Sequence, residues 1–216
     1  MTGMKKNDVG FIVTGSIMTL LFLIVINFIS SSDHLWFIYP AFVLILFPIG
    51  LTCILRQRYK LFSIIGSTWI MVFLIIINVW HTPAIPWVLY TVAPLVMWPV
   101  LVWLDEKVKL VSVAMFGSIT VTLYYLILNV VLSPYYPWFI YPAFLIIWWP
   151  LLLYHFKRRS YFSLSIHGSI VISVFFIIVN IVSTPTNIWA IFPIFCILWW
   201  PLSMYYFVYK KQKEAK

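Results

Sequence analysis

Two hydrogen-bonding side chains, a serine and an asparagine, return together four times along this chain. Ser16, Ser67, Ser118 and Ser169 each precede Asn27, Asn78, Asn129 and Asn180 by eleven residues. On a helix this spacing brings the two back to within about 20° of one face and about 16 Å apart along the axis. Two chemistries fit such a stripe. One is a line of polar groups along a path for a solute. The other is helix packing, in which Ser and Asn donate interhelical hydrogen bonds worth about 0.6–2 kcal/mol. The corresponding positions in between (Leu20, Met71, Thr122 and Ser173; Leu23, Leu74, Tyr125 and Phe176) are mostly apolar, so a continuous wet pore is not written there.

The stripe belongs to a larger motif, Gly-Ser-x10-Asn-x8-Trp-x11-Pro. It begins at Gly15, Gly66, Gly117 and Gly168, with a constant period of 51 residues. Its tryptophans are Trp36, Trp87, Trp138 and Trp189, and its prolines Pro48, Pro99, Pro150 and Pro201. The outer Trp row suits an interfacial belt. A second aromatic row, Phe47, Trp98, Trp149 and Trp200, lies too deep for that interface and either packs helices or lines a lipid-friendly groove. The four prolines fall inside apolar runs. Each removes a backbone N–H and frees the carbonyl four residues earlier, so four candidate kinks are expected. Pro40, Pro142 and Pro193 fall in first turns, where proline is cheap, and Thr91 takes that place in the second copy.

Other chemistry is scarce. His34, His81, His155 and His167 share no repeat position, and the first two are expected near one face, the last two near the other. A single metal site would need them to converge. His167 reads as a local hydrogen-bonding residue. Cys53 and Cys196 sit in apolar runs, match no metal-ligand spacing and imply no disulfide framework. There is no phosphate-binding loop, no paired carboxylate in an apolar run and no nucleophile–base set. Asp105 and Glu106 stand beside Lys107 as local charge balance. Neither an enzyme nor a cofactor or metal is expected. Proton- or sodium-driven carriage usually needs an acidic residue at membrane depth, and none is present.

The elements that carry these residues are long and apolar. The chain of 216 residues is 64% hydrophobic and 9% charged, with a mean hydropathy of +1.04. Soluble domains carry about 25% charged residues. Eight runs of about the 20 residues needed to cross a bilayer can be drawn, at 9–30, 35–55, 61–80, 86–104, 110–132, 138–156, 161–183 and 188–208. The first is too long for a signal-peptide core and reads as a retained span.

The net charge of +9 is a topology signal rather than a nucleic-acid surface. Lys5 and Lys6; Arg56, Arg58 and Lys60; Lys107 and Lys109; Lys157, Arg158 and Arg159; and Lys210, Lys211, Lys213 and Lys216 all fall on one side of an eight-span topology. The turns on the other side are short, rich in Pro and Ser, and hold one formal charge, Asp33. The basic side is therefore expected in the cytoplasm, with both termini, in a cell membrane.

The expected fold is an all-α integral membrane domain over residues 1–216. Its repeats lie at about 8–58, 59–109, 110–160 and 161–211, four tandem helical hairpins. Two spans per repeat make the copies parallel, related by axes along the membrane normal. A pseudo-fourfold arrangement is the simplest packing, with a row or a pair of pairs as alternatives.

Each copy resembles the bacterial two-transmembrane-helix domain, a small membrane module. The likeness is clearest in Asn129, then Trp138-Phe139-Ile140-Tyr141-Pro142, then Trp149 and His155. The glycines usual after that Trp are Pro150-Leu151 here, and the closing His stands in one copy only. The resemblance implies a membrane module and no catalytic residue. Two functions follow as expectations. One is permeation of an uncharged, lipid-like or passively conducted solute. The other is a non-transporting interaction protein, partnering a sensor or transporter or shielding the membrane. Lipids are the expected surroundings, a membrane protein a possible partner.

Overall fold

A computed structural model describes residues 6–31 and 33–210. Lys5, Lys211, Lys213 and Lys216, used above for topology, lie outside the described residues. Among the described residues there are eight α-helices: α1 Lys6–Ser30, α2 Ile38–Leu55, α3 Tyr59–His81, α4 Leu89–Leu104, α5 Val111–Leu132, α6 Ile140–Arg158, α7 Tyr161–Ser183 and α8 Ile191–Met204. A short 3-10 segment, Asp105–Lys109, follows α4, and a wider helical turn, Tyr205–Lys210, continues α8. No strand occurs among the described residues.

Every expected span coincides with a helix. The even-numbered helices begin two or three residues late, because the Trp of each motif is still in the turn. Among the described residues seven helical segments are long and apolar enough to cross a bilayer. The remaining helix, α6, has 19 residues, but Tyr141, Pro142, Trp148, Trp149, Pro150, Tyr154, His155 and Lys157 lower its hydropathy. A multi-pass membrane protein is the architecture these segments support.

The chain divides into two compact units, Met1–Asp105 and Glu106–Lys216. In the first, α1 packs on α2, α2 on α3 and α3 on α4; in the second, α5 packs on α6, α6 on α7 and α7 on α8. The middle contact of each unit uses the same aromatic device, 102 residues apart. Phe42 stacks on Phe73 with ring centroids 4.2 Å apart, and Phe144 on Phe175 at 4.0 Å. Tyr39 and Tyr141 meet the edges of the same two rings. In the first unit Gly50 leaves room for the Phe62 ring, where a Cβ would stand 2.8 Å from it.

The connections at the basic end are tight in both units. Gln57 and Arg159 take φ of 55° and 51°, the left-handed conformation that ends a helix sharply. The chain then closes through Arg58 N to Cys53 O at 2.8 Å, and Ser160 N to His155 O at 3.0 Å.

Few large side chains are enclosed. The deeply buried residues are mainly small or polar, among them Ser63, Ala114, Ser165 and the four repeated asparagines. Large apolar side chains such as Phe11, Phe116, Leu145 and Phe192 face outward. That is the inside-out economy expected where the solvent is hydrocarbon, and helices meet through small residues.

Candidate functional site

The four asparagines occupy one and the same environment. Each is buried, and each uses its two amide hydrogens and its carbonyl oxygen within the turn that follows its own helix. Asn27 Nδ2 donates to Ser31 O (2.8 Å) and His34 O (3.0 Å), while Oδ1 accepts from Phe37 N (3.0 Å). Asn78 does the same with Thr82 O, Ile85 O and Val88 N. Asn129 does so with Ser133 O, Tyr136 O and Phe139 N, and Asn180 with Thr184 O, Asn187 O and Ala190 N. The offsets are four, seven and ten residues each time. They answer the orphan carbonyls at the end of one helix and an orphan N–H at the start of the next. In the second and fourth copies Trp87 and Trp189 add an indole N–H bond to Thr82 and Thr184 Oγ1, at 2.8 and 2.7 Å.

The serines and prolines form a second device. Ser118 Oγ donates to Ile146 O at 3.1 Å, Ser169 Oγ to Ile197 O at 3.3 Å, and Ser67 Oγ to Leu95 O. Leu95, Ile146 and Ile197 each stand four residues before Pro99, Pro150 and Pro201. These are the carbonyls that proline deprives of their helical partner. The serine on the neighbouring helix supplies the missing donor. The spacing of 32 residues from Ser to Pro was present in the sequence, and the free carbonyl was expected. What joined the two was the register of the helix pair, which sequence does not print.

The second aromatic row fits the same slots. A Cβ at Gly66 would lie 2.7 Å from Cη2 of Trp98, and one at Gly168 would lie 2.5 Å from Cζ3 of Trp200. Each glycine thus seats a tryptophan ring from the partner helix. One turn earlier, Ser63, Ala114 and Ser165 are 1%, 0% and 0% exposed, so the helices approach closely there too.

The first copy keeps Gly15, Ser16 and Pro48 but differs in what surrounds them. Ile12 stands where the others have Ser63, Ala114 and Ser165, and Phe47 stands in the row of Trp98, Trp149 and Trp200. Phe47 is 54% exposed and does not fill the slot, and nothing lies within 4 Å of a Cβ built on Gly15. Among the described residues Ser16 has no hydrogen-bond partner, and the carbonyl freed by Pro48 is that of Leu44. A cavity of about 460 Å³ opens between α1 and α2 instead. It is lined by Val13, Ser16, Ile17 and Leu20 on α1 and by Leu44, Ile45, Pro48, Ile49, Thr52 and Cys53 on α2. Its wall is almost wholly apolar, and Thr52 Oγ1 is already bonded to Pro48 O at 2.8 Å. At the level where the other pairs close over a small residue, this pair carries the bulkier, β-branched Ile12.

The histidines pair by location as expected, and two of them touch. His155 Nε2 lies 3.1 Å from His167 Nδ1, and His155 Nδ1 lies 2.8 Å from Ser160 Oγ. Ser163 Oγ is 3.3 Å from His167 Nδ1. This link joins α6 to α7, with His155 only 1% exposed. His34 and His81 line a small recess with Asp33, Tyr39 and Trp80. No group of three or more metal-binding side chains gathers among the described residues. Cys53 is buried and Cys196 exposed, both free.

No family model, no curated protein and no solved structure matches the chain.

Proposed function

We propose that the chain is a multi-pass cell-membrane protein that acts by holding lipid or a membrane partner, and that it is not an enzyme. In this reading all eight helices cross, as four parallel tandem hairpins, with the basic ends and both termini in the cytoplasm. The observation that carries it is the fate of the repeated polar groups. Each asparagine spends all three of its hydrogen-bonding groups inside its own turn, and three of the four serines cap a carbonyl on the neighbouring helix. What remains facing outward is apolar and aromatic surface, including Ile17, Phe47, Trp103 and Trp199. Such surface binds chains and helices rather than water or ions. The likeness of each copy to the two-transmembrane-helix module supports the membrane part of this reading.

Permeation of an uncharged or lipid-like solute is the second reading, favoured by the cavity between α1 and α2. Purified protein in liposomes separates the two. Binding alone predicts no flux of monovalent ions, protons, neutral solutes or fluorescent lipid above empty liposomes. Flux that disappears when Asn27, Asn78, Asn129 and Asn180 are changed to Leu, in protein that stays folded, establishes permeation instead.

A further inference from the structure

We propose that the α1/α2 cavity is a binding site for an uncharged lipid alcohol, whose hydroxyl completes the bridge that Ser16 and the Leu44 carbonyl do not make with each other. The inference deepens the lipid-holding reading above and rests on the chain being embedded in a bilayer.

In the other three copies a serine hydroxyl and the proline-freed carbonyl satisfy one another. In the first copy Ser16 and Leu44 both line one cavity, and Ser16 makes no side-chain bond among the described residues. A polar group left unpaired in hydrocarbon costs several kcal/mol. An occupant that fits both groups offers an acceptor for the Ser16 O–H and a donor for the carbonyl that Pro48 frees. A hydroxyl does both with one oxygen, whereas an ester or ketone can only accept. A charged head group is excluded by the apolar wall, where an ion is expensive. The volume of about 460 Å³ is within the roughly 300–1,000 Å³ usual for ligand pockets. Ile17, Ile45 and Ile49 on its lining are 54%, 40% and 36% exposed, so it opens sideways toward lipid. Ser16 stands seven residues from Val9, about 10 Å along the helix, a depth that a small hydroxyl head reaches and a phosphate does not. Ile12 and Phe47, the departures that keep the pair open, are local to this copy.

The test uses the full chain in phosphatidylcholine nanodiscs with a diacylglycerol carrying a diazirine on one acyl chain. Saturable labelling is expected on α1 and α2 around Val13 and Thr52, competed by unlabelled diacylglycerol. The O-acetylated probe and the Ser16→Ala variant should each bind about fivefold more weakly, and Ser16→Thr should restore binding. The double change Ile12→Ser with Phe47→Trp, which installs the pattern of the closed pairs, should abolish the labelled site. Equal labelling by the alcohol and its acetate, in protein with an unchanged melting temperature, overturns the proposal, as does labelling spread evenly over α3 to α8. Loss of the protein from membranes on alkaline washing is a different failure. It removes the membrane reading itself, whereas retention without hydroxyl-dependent labelling removes the lipid site alone.

Discussion

Asparagine is the residue that fits this turn because it presents two donors and one acceptor on a short, planar head. Aspartate in its place keeps the acceptor and loses both donors; leucine loses all three. Asn78→Leu or Asn180→Leu should cost about 2–6 kcal/mol, from three bonds at ~0.6–2 each, read as a lower unfolding midpoint in detergent. An equal midpoint would mean that the bonds carry no net stability. The glycines give a second contrast at this scale. Gly66→Ala and Gly168→Ala place a methyl against the Trp98 and Trp200 rings, and overpacking of this kind costs about 1–3 kcal/mol. Gly15→Ala meets open space and should leave the midpoint unchanged. Destabilisation at all three positions to the same extent would show that the cost is not the tryptophan contact.

At the scale of the helix, Pro99, Pro150 and Pro201 each pose a problem that the neighbouring helix solves. Ser118→Ala strands the Ile146 carbonyl while Pro150 is present. With Pro150→Ala a backbone N–H returns to that carbonyl, and the serine becomes dispensable. A double-mutant cycle should therefore give a coupling of about 0.5–1.5 kcal/mol between Ser118 and Pro150. Ser16 and Pro48 should show none, since that bond is not made. Equal coupling in both pairs would place the origin of the effect elsewhere. The histidine link between α6 and α7 behaves as an element-level clasp. His155→Ala leaves Ser160 and His167 without their shared partner, and the loss should be about 1–3 kcal/mol.

For the whole molecule the decisive quantity is which side each turn faces. Tyr135 is fully exposed at the tip of the α5–α6 turn, and Lys109 lies at the opposite, basic end of α5. With Cys53 and Cys196 changed to Ser, Tyr135→Cys should react with an impermeant maleimide in intact cells. Lys109→Cys should react only after permeabilisation. The reverse pattern would invert the topology and remove the positive-inside argument. The repeated aromatic contact, Phe42 on Phe73 and Phe144 on Phe175, adds a 102-residue order to the 51-residue sequence period. It makes each compact unit a pair of helix pairs.

Sequence alone determined the eight helices, to within a few residues. Hydrophobic length and proline- or serine-rich turns act locally, and no tertiary contact is needed to read them. It determined the repeat as well, because periodicity is a property of the string. It also gave the freed carbonyls, since proline acts on its own helix. Where the seryl and asparaginyl groups point was decided only by the tertiary structure. A helical wheel places Ser16 and Asn27 on one stripe, yet cannot say that the asparagine turns into its own loop or that Ser67, Ser118 and Ser169 meet carbonyls 28 residues away. The exception in the first copy was equally hidden. The change from Ser or Ala to Ile12 is a single ordinary residue in an apolar run. The open cavity beside it, lined by Ser16 and Leu44, depends on how closely two helices can approach. That distance is set by the bulk of side chains on both helices together.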